Sequence, residues 1–219
     1  MATLAQESLT FETQVSLQVV YEAPESPALL RRTLTGAVTW QQRNETTVER
    51  ALRSPSVAPQ WVAALLAWGA SVTGLDGPEE LLADFLHRSA GQRGRAAAVH
   101  LPLNIPGRTW GEAHVARTPA DVPIVAAIAV VDWRGDVVHQ AHLALTGVWR
   151  VPVRLAESVD ALIGGPMGDE QIAQVALAVQ NEATPPDDFF GSADYRRAMA
   201  GVLTRRALEQ CRGQEVGNG

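Results

Sequence analysis

The chain has 219 residues, of which 46% are apolar, and carries a net charge of −6, with a pI near 5.4. That length suits one large domain or two small ones, with enough apolar material for a core. The acidic balance leaves no basic field for nucleic acid. No apolar run reaches membrane-spanning length, and the lone Cys211 excludes an internal disulfide and a cysteine-ligated iron–sulfur or zinc centre.

The opening "MATLAQESLTFETQ" has neither a basic nor an apolar signal region, so a reducing cytoplasm is the expected compartment. In "SLTFETQVSLQVVY" (8–21), Leu9, Phe11, Val15, Leu17 and Val19 alternate with polar residues, which predicts a half-buried strand. A proline-punctuated turn and a short helix or loop follow in "EAPESPALLRR". "TLTGAVTW" (33–40) reads as a turn entering a strand, and "RNETTVERALRSPSVAPQ" as an exposed polar segment. "WVAALLAWGA" (61–70) is apolar on nearly all sides and predicts a buried helix. "SVTGLDGPEELLADFLHR" supplies a short strand, a Gly-Pro turn and a short helix near Leu81, Leu82 and Phe85. After the Gly/Arg-rich loop "SAGQRGR" (89–95), "AAAVHLPLN" reads as a strand. A domain boundary is placed near residue 100.

Beyond it, two strands flank "DWRGD", a hairpin signal with Gly135 in the turn. "WRVPVRL" predicts a third strand. Three helices follow: 155–163, ended by Gly164-Gly165; 169–183, with Asp169 as N-cap and Pro185-Pro186 as the stop; and 192–211, capped by Ser192. The fold class is α+β. Residues 1–100 form one subdomain, 101–212 a three-stranded antiparallel sheet packed by three helices, and 213–219 a flexible tail.

The segments "RTPADVPIVAAIAVV", "GDVVHQAHLALTGVWRVPVR", "AESVDALIGGPMGDEQIAQVALAVQNEATPPDD" and "GSADYRRAMAGVLTRRAL" occur in the order found in a known family. Together they resemble the C-terminal domain of the FAD-binding medium subunit of molybdenum hydroxylases, the carbon monoxide dehydrogenase and xanthine dehydrogenase group. The first half resembles that family through "TLTGAVTW", which is similar to its glycine-rich flavin-contacting turn. "WVAALLAWGASV" and "ELLADFLHR" are similar to the elements that follow it. The resemblance implies a partial FAD-binding α/β subdomain, with the backbone of Thr33, Leu34, Thr35, Gly36 and Ala37 nearest the FAD. Bare amides can approach phosphate only where side chains are absent. Thr35 stands where the family has a first glycine, Ala37 where it has asparagine, and Gln60 where it has an acidic residue. Members also begin with a further subdomain carrying a second phosphate loop, and nothing like it precedes Thr33. The resemblance therefore implies an N-terminally truncated homologue with a weakened FAD site.

The implied partners are a molybdenum-containing large subunit and a [2Fe-2S] small subunit, with neither nucleic acid nor membrane. The implied activity is that of an oxidoreductase subunit passing electrons from iron–sulfur clusters through FAD to an external acceptor. No residue of this chain would be the acid, base or nucleophile of substrate oxidation. The alternatives are a flavin-free structural subunit, or a fragment whose missing subdomain another polypeptide supplies.

Other residues have plainer readings. Gly36 suits a flavin contact or an ordinary tight turn. His139 and His142 are three apart on a predicted strand, hence on opposite faces and unsuited to a shared metal. Asp132 and Asp136 flank a hairpin, a common solvated location for carboxylates that could otherwise do acid–base work. On the last helix, Tyr195, Met199, Val202 and Leu203 are expected to face the sheet. Arg196, Arg197, Arg205 and Arg206 would spread over the remainder, solvated, or paired with Asp187, Asp188 or a partner. Ser192 lacks a hydrolase elbow, and Cys211 falls near a frayed terminus. Trp61 and Trp68 are spaced for the core, whereas Trp40 and Trp110 could line a pocket or an interface.

Overall fold

The computed structural model describes residues 8–35, 38–75, 77–89, 91–118 and 121–214. Two compact units divide the chain after Ile105. The first contains β1 (Ser8–Glu12), α1 (Leu17–Glu22), α2 (Ala28–Leu34), α3 (Trp40–Glu45), α4 (Val48–Arg53), a 3-10 turn (Pro55–Val57), α5 (Pro59–Trp68), β2 (Ser71–Gly74), β3 (Glu79–Leu81), α6 (Leu82–His87) and β4 (Ala96–Pro102). Its sheet runs β1-β4-β2-β3, with every pair antiparallel. The expected helix at 61–70 is α5, and each residue from Gln60 to Trp68 is buried.

Three local expectations in this unit change. The predicted strand over 8–21 stops at Glu12, and Ser16 caps α1, because Leu17 and Val20 sit three apart and bury one helical stripe. The segment 33–40 leads into a helix rather than a strand: Thr39 and Gln42 form a capping box at the start of α3. The segment expected to be polar and exposed contains α4, which buries Val48, Ala51 and Leu52.

The second unit contains β5 (Arg108–Val115), β6 (Val125–Arg134), β7 (Val137–Thr146), β8 (Val153–Leu155), a 3-10 helix (Glu157–Leu162), α7 (Asp169–Glu182) and α8 (Ala193–Gly213). The sheet is an antiparallel meander, β5-β6-β7-β8. It has one strand more than the sequence pattern suggested. β5 escaped notice because "RTWGEAHV" buries Thr109, Gly111 and Glu112 rather than a row of large apolar residues. Gly135 takes a left-handed φ of 60° in the two-residue hairpin turn between β6 and β7. The expected helix at 155–163 is a 3-10 turn instead. The Glu182 carboxylate accepts from the amides of Glu157 and Ser158 at 3.1 Å each, which fastens its start to the end of α7. Gly168 rather than Asp169 caps α7.

α8 organises this unit. Ala200, Leu203, Ala207, Leu208 and Cys211 pack on Val125, Ala127, Ala129 and Val131 of β6 and on Val175 and Val179 of α7. Each large buried side chain of this set stabilises by roughly 1.5–3 kcal/mol. Tyr195 and Val202, expected on the packed face, are each 39% exposed. The buried stripe is rotated toward Arg196, Ala200, Leu203, Thr204, Ala207 and Cys211. Cys211 is therefore core rather than a frayed end. Burial pushes its thiol well above the ordinary range, and Sγ lies 3.7 Å from the Ala129 carbonyl oxygen.

β5 lies at the edge of the sheet, and α8 covers that edge by hydrogen bonding. The Gln210 side chain accepts from the Glu112 N–H at 3.0 Å and donates to its carbonyl at 2.9 Å. Gln214 does the same for Trp110, at 3.1 and 2.6 Å. Two side-chain amides one helical turn apart thus replace a neighbouring strand. This requires near contact: a Cβ on Gly111 would sit 2.0 Å from the Ala207 carbonyl oxygen. Gly111→Ala is expected to lower the stability of the protein by about 2 kcal/mol or more in urea denaturation. Gly165→Ala, whose Cβ would come no nearer than 4.0 Å to another atom, is expected to stay within about 0.5 kcal/mol of the parent.

Candidate functional site

Two places combine backbone polar groups with defined loops. The first follows α2. Thr33 and Leu34 are buried in its last turn, where α-helical amides donate four residues back. The Thr35 N–H donates to the Arg32 carbonyl at 3.1 Å. Arg43 then spans the turn, donating from Nη1 to the carbonyls of Leu34 (2.9 Å) and Val38 (2.8 Å) and from Nε to Gln18 (2.8 Å). Its guanidinium stacks on Tyr21, 4.8 Å from the ring centroid. Gly36 and Ala37 lie outside the described residues. Of the tryptophans, Trp40 starts α3 and is 67% exposed, while Trp110 is half-buried on β5.

The start of α4 belongs to the same region of chain contacts. Thr47 caps it through the Arg50 amide. The amides of Val48 and Glu49 donate to the carbonyls of Val15 (3.0 Å) and Thr13 (2.8 Å). Helix starts commonly bind anions with such amides, but here the segment after β1 holds them.

The second place is the turn before α8. Arg196, expected on the surface, is only 4% exposed. Its guanidinium donates to four acceptors: the carbonyls of Gly191 (3.1 Å), Ile124 (2.9 Å) and Gly147 (3.0 Å), and Asp188 Oδ1 (2.6 Å). The same Asp188 oxygen accepts from the amides of Phe190 (2.8 Å) and Gly191 (3.3 Å). Gly147 is required here, since its φ is 75° and a Cβ would lie 1.9 Å from the Ile124 carbonyl oxygen. Ser192 caps α8 through the Tyr195 amide at 3.2 Å, as its sequence context predicts.

A family match falls within this second unit. Residues 113–211 match the CO dehydrogenase flavoprotein C-terminal domain. The glyceraldehyde dehydrogenase medium chain of Sulfolobus acidocaldarius is 29% identical over 96 residues, 44% of this chain and 34% of that one. The carbon monoxide dehydrogenase medium chain of Afipia carboxidovorans is 27% identical over 115 residues, 52% of this chain and 40% of that one.

Over residues 113–211 the chain is a homologue of the CO dehydrogenase flavoprotein family.

Its fold agrees. Carbon monoxide dehydrogenase from Hydrogenophaga pseudoflava superimposes with a TM-score of 0.81 at 22% identity, covering 95% of this chain and 76% of that one. Quinoline 2-oxidoreductase from Pseudomonas putida 86 gives 0.77 at 20% identity, covering 96% and 77%. The matched segments span only 34% and 40% of these two curated medium chains.

For this medium-subunit homologue, the fit of a flavin dinucleotide can be tested on its own backbone. A pyrophosphate needs several free main-chain amides converging on one point. The amides of Thr33, Leu34 and Thr35 are held within α2 and its cap, that of Thr39 donates to Gln42 Oε1 at 2.9 Å, and those of Val48 and Glu49 donate to carbonyls. Among the described residues, these amides are thus already engaged within the chain.

The remaining candidates are dispersed. Asp132 is not solvated: it is buried and takes a two-pronged grip from Arg108, Nε to Oδ1 at 2.7 Å and Nη2 to Oδ2 at 2.8 Å, while Asp136 is exposed. A bulge in β7 opposite Asp132 and Trp133 puts Val138, not His139, into the core. His139 is exposed and His142 lies 3.2 Å from the Gln140 side chain. No group of metal-ligating side chains occurs among the described residues. No helix there is long and apolar enough to cross a membrane. Arg197 pairs with Asp194, and Asp187 is exposed. The buried role of Arg196 was legible in principle, because it falls on the stripe 196, 200, 203, 207, 211, whose other members are small or apolar.

Arg196→Ala is expected to destabilise by roughly 2–4 kcal/mol, since it strands several buried carbonyls. Arg196→Lys is expected to restore little, because one ammonium cannot span the same fork. Arg196, by its hydrogen bond, also holds the Asp188 carboxyl below the usual aspartate range, with the Phe190 amide assisting. The folded value is lowered, so the contribution of Asp188 is complete above the unfolded value and is lost as pH falls through the folded one. In urea titrations, the gap between parent and Asp188→Asn is expected to hold from pH 7 to about 5 and to close below about pH 4.

Proposed function

We propose that this chain is the medium subunit of a molybdenum-hydroxylase-type complex, one that docks on its partners through the second unit and holds FAD weakly by itself. The observation that carries this reading is the contrast between the units. The second matches the C-terminal domain of the flavoprotein family over 99 consecutive residues, 113–211. In the first, the amides of Thr33, Leu34 and Thr35 and those at the start of α4 already have partners within the chain.

FAD, when bound, would supply the redox chemistry that links iron–sulfur clusters on a small subunit to an external acceptor. The role of this chain is to orient it. The stretch Thr33, Leu34, Thr35, Gly36 and Ala37 is the proposed point of approach. The named partners are a molybdenum-containing large subunit and a [2Fe-2S] small subunit, in the cytoplasm. A second reading, a flavin-free structural subunit, is favoured by the same committed amides.

Titration of the purified chain with FAD, followed by quenching of flavin fluorescence, is expected to give a dissociation constant weaker than about 1 μM. Nanomolar binding by the isolated chain would sink the claim of a weak site. Absence of flavin from the assembled three-subunit complex would establish the structural reading instead.

A further inference from the structure

The turn that Arg196 holds carries two phenylalanines in water. Phe189 is 87% exposed and Phe190 57%. Phenylalanine is ordinarily among the most buried residue types, so adjacent exposed rings are informative where single exposed leucines are not. The rings are arranged edge to face, with centroids 5.9 Å apart and planes 77° apart. The Arg117 guanidinium lies over both, 5.4 Å from the Phe189 centroid and 4.9 Å from that of Phe190. Among the described residues no carboxylate pairs with Arg117, whereas Arg196, Arg197 and Arg212 of the same unit each have one.

The backbone beneath these rings is fixed. Asp188 and Gly191 exchange hydrogen bonds across the turn at 3.4 and 3.2 Å. Asp188 and the Gly191 carbonyl are both held by the buried Arg196. A surface loop normally loses entropy when it docks, and a turn already held in one conformation loses little. Aromatic and arginine side chains on a preformed support are the composition of binding hot spots.

We propose that Phe189, Phe190 and Arg117 form a preorganised docking knob that enters an apolar pocket, rimmed by a carboxylate, on another protein chain of the complex. The partner's chemistry follows from the knob: two rings require an apolar cup, and an exposed arginine with no carboxylate partner among the described residues is complemented by an acidic group at the rim. A membrane surface is disfavoured, because the chain carries a net charge of −6 and anionic lipid would repel it. The proposal rests on the reading of this chain as one subunit of a complex.

The test is reconstitution of the full chain with the molybdenum-containing and iron–sulfur chains of its own organism, with affinities measured by biolayer interferometry. Phe189→Ser/Phe190→Ser is expected to weaken association about 30-fold or more. Arg117→Ala is expected to weaken it about 5-fold or more and to reduce its salt dependence. Both variants should keep the parent's thermal midpoint, because the rings are already solvated. Parent-like affinity in the double variant overturns the knob while leaving the complex intact. Failure of the parent to associate overturns the subunit reading and this inference together. Parent-only dimerisation in sedimentation identifies a second copy as the occupant, and parent-only binding to phosphatidylserine vesicles identifies a membrane; either result also overturns the proposal.

Discussion

The second unit depends on one buried cation. Arg196 brings together carbonyls from the entry to β6, the exit of β7 and the turn before α8, and closes the set with Asp188. A guanidinium suits this position because its several donors are fixed in one plane. The acceptors are mostly neutral carbonyls, so its charge is dispersed over several dipoles and one half-exposed carboxylate. Burial of an arginine is tolerable only with such complete satisfaction. Chain reversals far apart in sequence thereby become one rigid corner.

That corner and the sheet edge are handled by the same helix. At its start α8 supplies Arg196; near its end it supplies Gln210 and Gln214 to the exposed edge of β5. Gly111 and Gly201 let backbones approach, the latter with the Ala176 carbonyl 3.1 Å from where a Cβ would stand. An edge strand covered in this way cannot recruit another chain by strand addition. On the turn that Arg196 fixes, two rings, Phe189 and Phe190, stand exposed.

The first unit shows the opposite use of backbone polarity. Its helices are short, and their leading amides are satisfied locally by Thr39, Thr47, Gln42 and the carbonyls of Thr13 and Val15. Local satisfaction is the expected outcome for a helix start with no ligand, because an orphan amide shielded from water costs about as much as a lost hydrogen bond. A phosphate at these positions would have to compete with bonds the chain already makes.

What the sequence determined by itself is the order and type of the long elements. The apolar α5, the hairpin at Gly135, α7, and α8 with its Ser192 cap all carry their signals within a few residues, through period, turn chemistry and capping. The family likeness was legible for a related reason, as several such segments recur in a fixed order. Tertiary structure alone decided the rest. β5 lacks an apolar alternation because one face of it receives a helix backbone at Gly111. The strand beginning at Ser8 ends early because Leu17 and Val20 find a helical stripe to bury. Asp132 is read from composition as a solvated charge, and only its partner Arg108 on the neighbouring strand makes burial affordable; the stripe that Arg196 shares with small and apolar residues hints at its burial, but the distant carbonyls of Ile124 and Gly147 that satisfy it are set by the fold. Hydrogen-bond partners dozens of residues away leave no trace in local pattern, and those partners settle whether a polar group is surface or core.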